Sequence, residues 1–243
     1  MRTRTAVSVV SLLLLAACGG AETPESAEEV PDAVTADPAH YSVAFENDAI
    51  RVLRISYGAG ETSVMHTHPE SCAIALTAGE FDMHLPDETT IQESLSPGQA
   101  DCYPAGAHRP ENTGDSRGEV VLVELKDGAM AGTAEMPADP LATDADPEHY
   151  TVEVDNDVYR LVRVHYEPGE TSVMHSHPAH CIVFLGPTTG VSFQLPGGET
   201  VAAEPGNVGD VTCVDAGSHL PTNTGTAPSD VMLIEMKGRA TAS

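Results

Sequence analysis

The sequence predicts an all-β protein made of two tandem units, each a small sandwich or barrel. Three observations carry that expectation. A motif is written twice, as Gly60-Glu61-Thr62-Ser63-Val64-Met65-His66-Thr67-His68-Pro69 and Gly169-Glu170-Thr171-Ser172-Val173-Met174-His175-Ser176-His177-Pro178. Short β-rich runs are punctuated by Gly-Asp, Pro-Gly and Asn-Thr-Gly clusters about every eight to twelve residues. No stretch sustains a helical period.

Taken in chain order, the N-terminus stands apart from the repeats. Arg2 and Arg4 precede an apolar run from Ala6 to Ala17, too short to span a bilayer comfortably and placed as a signal peptide would be. Leu15-Ala16-Ala17-Cys18-Gly19 resembles a bacterial lipoprotein processing site. That resemblance implies cleavage before Cys18, lipidation of its thiol and new amine, and a membrane-anchored protein of the cell envelope, outside the cytoplasm. Residues 1–18 are then the signal peptide, with Cys18 as the mature N-terminus. Residues 19–36 hold acidic but no basic side chains and few large apolar ones, so they read as a disordered tether reaching about 20–25 Å.

The first repeat covers residues 37–127, from Asp37-Pro38-x-His40-Tyr41, and the second covers 146–238, from Asp146-Pro147-x-His149-Tyr150. An Ala/Gly/Pro-rich linker, 128–145, joins them, and 239–243 is a tail. Tyr41–Phe45 and Ile50–Tyr57 read as strands around a turn at Glu46-Asn47-Asp48, and Tyr150–Val154 and Tyr159–Tyr166 repeat them. Eleven basic residues against 37 acidic ones give a net charge of −26. A surface this acidic repels phosphate backbones, which argues against a nucleic-acid partner.

The two units resemble cupins. Gly60, His66, His68 and Gly79 match the first cupin motif, and Gly98, Pro104, Gly106, His108 and Asn112 match the second with one residue fewer between Gly106 and His108. In the second unit Gly169, His175, His177, Gly209, Gly217, His219 and Asn223 fit, with Asp215 where proline is expected. The resemblance implies two small antiparallel β-barrels of jelly-roll type, a bicupin. It also implies two metal sites: His66, His68 and His108 in one barrel, His175, His177 and His219 in the other. Alternate residues of a strand face the same way, about 6.6 Å apart at Cα, so a His-x-His pair can converge on one ion. Neutral imidazole suits Zn, Fe, Ni, Cu or Mn, and the sequence does not choose among these divalent metals. His40 and His149 read as structural, while His84, His165 and His180 occur in one unit only and receive no role.

The units depart from the cupin pattern at the carboxylate ligand. Cys72 and Cys181 stand there, and Cys102 and Cys213 precede the third histidines at matching places. Losing a carboxylate weakens metal binding and opens coordination positions. Paired cysteines in an exported chain argue for disulfides, and cupin topology implies Cys72–Cys102 and Cys181–Cys213. Two other readings stay open: a thiolate as fourth metal ligand, and a likeness to thiol dioxygenases, three-histidine iron cupins with a cysteine in this region.

The function so implied is an envelope-anchored bicupin lipoprotein that binds a metal ion or small-molecule ligand through a three-histidine site in each barrel, with the substrate unidentified. The alternatives are a metal-dependent cupin enzyme, of dioxygenase (thiol-dioxygenase-like) or isomerase type, and a structural lipoprotein with vestigial pockets. Many cupins pair through their sheets, so a homodimer is a further expectation.

Overall fold

The computed structural model describes residues 30–126 and 139–237. The signal segment, Cys18 and the 239–243 tail lie outside the described residues. No helix among the described residues is long and apolar enough to cross a membrane.

The first unit opens with a short helix, α1 (Ala33–Ala36), then β1 (Tyr41–Glu46), β2 (Ile50–Tyr57), β3 (His66–His68), β4 (Ser71–Ala75), β5 (Gly79–His84), β6 (Thr90–Leu95), β7 (Ala100–Tyr103), β8 (Gly106–Asn112) and β9 (Gly118–Leu125). The second repeats the order with α2 (Ala142–Ala145), β10 (Tyr150–Asp155), β11 (Tyr159–Tyr166), β12 (His175–His177), β13 (His180–Phe184), β14 (Val191–Gln194), β15 (Thr200–Ala202), β16 (Val211–Val214), β17 (Gly217–Asn223) and β18 (Ser229–Met236). Each unit folds a five-stranded sheet (β1-β2-β9-β4-β7 or β10-β11-β18-β13-β16) against a four-stranded one (β3-β8-β5-β6 or β12-β17-β14-β15). All the strand pairs are antiparallel, so the all-β, two-barrel expectation holds.

Strand alternation then sorts the core. Leu53 and Tyr57 of β2 turn into the first barrel with Tyr41, Phe81 and Leu122. Ile50 and Val52 of the same strand turn outward and join Cys72, Ile74, Val121 and Val123. That outer face packs on its counterpart from the second unit: Tyr159, Leu161, Cys181, Val183, Met232 and Ile234. Both faces of each five-stranded sheet are therefore buried, which explains why β9 and β18 read as apolar runs rather than alternating ones. The contact is reciprocal: Arg54 donates to the Val208 carbonyl (3.5 Å), and its repeat counterpart Arg163 donates to the Gly98 carbonyl.

Two stretches differ from expectation. Residues 30–36 of the supposed tether and 139–145 of the supposed linker are folded onto the barrels. Asp32 caps α1 through its side chain on the Val34 amide, Ala33 is fully buried, and the Thr67 amide donates to the Pro31 carbonyl (2.9 Å). Ala142 and the Ser176-to-Pro140 bond (2.8 Å) repeat the arrangement. Average polarity hid a capped turn whose few alanines pack well.

Candidate metal centres

Local pairing builds each histidine group. β3 runs antiparallel to β8 with His66 opposite His108, and β12 runs antiparallel to β17 with His175 opposite His219. His66 and His68 share the buried face of β3, while Thr67 turns away to the α1 arm. In the first barrel the ring centroids lie 4.9, 5.0 and 5.1 Å apart, and the second repeats these spacings. One nitrogen from each ring falls within 4.8 Å of the others in both groups. The chain thus carries two three-histidine groups that could hold a metal ion.

Hydrogen bonds fix which nitrogens face the site. His66 Nδ1–H donates to the Val64 carbonyl (2.8 Å), leaving the lone pair on Nε2. His68 Nδ1–H donates to Glu124 Oε1 (2.7 Å). His175 uses the Val173 carbonyl (3.0 Å) and His177 uses Glu235 Oε1 (2.7 Å) in the same way. Burial raises the Glu124 carboxyl, yet bonds from His68 and Arg51 outweigh it and hold the group below its ordinary range. Glu235 is held low alike, by His177 and Arg160.

Burial, followed by the neighbouring ring, lowers His66 and His175 to about 4. Burial, followed by the other two rings of the group, lowers His108 and His219 to about 3. These four imidazoles are neutral at physiological pH, the form that ligates metal. Imidazole ligates in its neutral form, and three ring nitrogens brought this close fit a divalent transition ion, with the structure not distinguishing which. The carboxylate–histidine contact is the support that such ligands ordinarily carry.

A tyrosine hydroxyl completes each group. Tyr41 donates to His66 Nε2 (3.0 Å) and Tyr150 to His175 Nε2 (3.1 Å). Behind Tyr41 stands Tyr57 (2.9 Å), and behind Tyr150 stands Tyr166 (3.1 Å). His40 and His149 bond Asp37 and Asp146 (2.8 Å each) and stack on Tyr57 and Tyr166. They buttress the tyrosines and do not enter the histidine groups.

No protein-family model matches the chain, and no curated protein matches it by sequence. Solved structures do. A cupin 2 conserved barrel domain protein from Leptotrichia buccalis superposes over 81% of this chain and 88% of its own, with TM-score 0.51 and 11% identity. AerE from Microcystis aeruginosa covers 82% and 93% at TM-score 0.54 and 12% identity. An oxalate decarboxylase variant from B. subtilis covers 82% and 72% at TM-score 0.53 and 14% identity. The fold is that of a bicupin.

Within this bicupin the cysteines are resolved. Cys72 bonds Cys102 and Cys181 bonds Cys213, each pair directly opposed across neighbouring strands. Cys72 and Cys181 face the core between the barrels, whereas Ser71 and Ala73 face the first cavity. The reading of a thiolate as fourth ligand is corrected: alternation along β4 turns that side chain away from the site. The same disulfides remove the thiol on which the likeness to thiol dioxygenases rested. Two disulfides belong to an oxidising location outside the cytoplasm.

Sequence reasoning missed Glu124 and Glu235, Tyr41 and Tyr150, and His180. The first four had a signal, since each recurs at the same place in both repeats. His180 lies at the place of Ser71, lines the second cavity 5.0 Å from His177 by ring centroid, and is lowered to about 4 by burial and then by His177.

Proposed function

We propose that this bicupin is an envelope-anchored lipoprotein that holds a divalent transition metal, and with it a small ligand, through His66, His68 and His108 in one barrel and His175, His177 and His219 in the other. One observation carries the reading: in two repeats that differ at most other positions, three imidazoles are grouped, two of them with their outer nitrogens committed to Val64 and Glu124 or to Val173 and Glu235. Vestigial pockets have no need of buried glutamates holding ring tautomers. A bound ion supplies Lewis acidity for a ligand oxygen. Anchoring through Cys18 fits the oxidising location that the disulfides indicate.

Metal analysis of the folded chain tests the central claim. Two ions per chain are expected, with His66→Ala and His175→Ala each removing one and the double variant both. Metal added to the stripped protein should raise its melting temperature in the wild type only. A stripped protein that takes up no ion and gains no stability overturns the reading. Cys18→Ser is expected to release the chain from the membrane fraction.

A second reading, metal-dependent catalysis in the second barrel alone, is favoured by His180. Its Nδ1–H is committed to the Pro178 carbonyl (2.8 Å), which leaves Nε2 as an acceptor beside the triad. Turnover lost with His180→Ala but kept with Ser71→Ala would support it.

A further inference from the structure

The lining of the two cavities says what sort of ligand they take. Each has a volume of about 290 Å³, at or just below the low end of ordinary ligand sites, roughly 300–1,000 Å³. In the first, Tyr41, His68 and His108 meet at the histidine group, Tyr103 and Glu93 bond one another elsewhere in the lining, and Ile55, Phe81, Met83, Leu95 and Leu122 make much of the wall apolar. The second is built alike, with Tyr150, His177, His180 and His219 at the histidine group and Val164, Ile182, Phe184, Val191 and Leu233 among its apolar walls. Among the described residues no lysine or arginine lines either cavity, and the acidic linings are Glu93 and Glu204.

Charge sets the head group. Imidazole is a neutral ligand, so three of them leave a divalent ion's charge uncompensated in its first shell, with Glu124 or Glu235 one hydrogen bond further out. One anionic oxygen group can answer that charge. A second anionic group held away from the ion by a carbon chain, as on a longer dicarboxylate, would lie in a largely apolar cavity with no lysine or arginine to pair with, which is costly.

Tyr41 supplies the other half of head recognition. Tyr57 donates its hydroxyl proton to the Tyr41 oxygen, so the Tyr41 proton points to His66 Nε2. When that lone pair is taken by an ion, the Tyr41 hydroxyl is left as a donor facing the site. Its natural acceptor is an oxygen of the ligand head.

We infer that each barrel binds a small amphiphile head-first: a single oxygen-bearing anionic head, of the monocarboxylate or enolate type, at the histidine end with a hydrogen bond from Tyr41 or Tyr150, and an apolar tail in the cavity. The head rests on the metal reading, whereas the tail does not.

Straight-chain monocarboxylates from acetate to hexanoate, with the six-carbon dicarboxylate adipate alongside, test this by calorimetry on the zinc-loaded and metal-stripped protein. Affinity is expected to climb about fourfold per methylene, and hexanoate to bind more tightly than adipate. Tyr41→Phe with Tyr150→Phe should weaken every chain length by a similar factor, about fivefold to tenfold, and leave the per-methylene slope intact. Stripping the metal should do the same to a larger degree. A flat series, or adipate bound more tightly than hexanoate, overturns the inference. If the slope survives but zinc makes no difference, the metal reading falls and the apolar-tail assignment stands. If the Tyr→Phe variant binds every member like the wild type, the hydroxyl's role is refuted.

Discussion

At His68 the choice of which ring nitrogen carries the proton is made by Glu124. That carboxylate is almost fully buried, yet it also accepts from Arg51 Nε (2.5 Å), so its charge is answered on both sides. Replacing a buried ion pair with an apolar pair of equal volume is often neutral; the use of this one lies in holding His68 with Nε2 inward. Glu124→Gln keeps the shape and removes the charge. Metal affinity at the first barrel is expected to fall by roughly 10–100-fold while the second barrel, supported by Glu235, keeps its own. Competition with a chromophoric chelator resolves the two sites, and an unchanged first-site affinity would show that Glu124 does not tune the histidine.

At the scale of the element, β4 and β7 explain why the cysteines stand clear of the histidine groups. β4 alternates Ser71 and Ala73 inward with Cys72 and Ile74 outward, and β7 is the edge strand of its sheet. The Cys72–Cys102 bond closes a separation of 30 residues and ties that edge to its neighbour. Replacing both cysteines with alanine is expected to cost about 3–4 kcal/mol, read as a lower denaturant midpoint, with faster amide exchange over Ala100–Tyr103. A loss under about 1 kcal/mol would mean that packing between the barrels alone secures the edge. The histidine spacing, the barrels and the cysteine pairing were legible because each is repeated in a pattern that strand geometry makes meaningful. Glu124 was hidden because Val121-Leu122-Val123-Glu124-Leu125 reads as an apolar strand, and a buried charge inside one is invisible until its partners are placed. Tyr41 was hidden because an aromatic residue opening a strand is ordinary core. The α1 arm was hidden by window composition, although Pro31-x-Ala33-x-x-Ala36-Asp37-Pro38 recurs as Pro140-x-Ala142-x-x-Ala145-Asp146-Pro147. The contact between barrels had no sequence signal, since residues facing the partner barrel and residues facing inward are equally apolar.

Across the whole molecule, the shared core between the barrels and the histidine groups within them make stability depend on pH in a defined way. His66, His175 and His180 are lowered to about 4, and His108 and His219 to about 3, all chiefly by burial. The ordinary value is 6.5, so the unfolded chain takes up protons first as pH falls. The stability contributed by keeping these rings neutral is fully present above about 6.5 and is lost as pH drops toward 4 and then 3. Each ring costs up to about 1 kcal/mol per pH unit within that window, after allowance for solvent screening of the less enclosed ones. The buried carboxylates Asp37, Asp146, Glu124 and Glu235 are held below their ordinary values of 3.8 and 4.5, so their loss comes later, at more acid pH. Between pH 6.5 and 4.5 the histidines act first. The metal-stripped protein is therefore expected to show a melting temperature that declines from pH 7 to pH 5. Because the two units share the core of Ile50, Ile74, Val123, Leu161, Val183 and Ile234, the decline should appear as one transition moving down. Reloading with zinc should delay the decline, because an ion and a proton compete for the same lone pairs. Calorimetry at pH 7.5, 6.5 and 5.5 with and without zinc reads both effects. A stripped protein that melts at the same temperature throughout would show that these rings are not held neutral in the folded state.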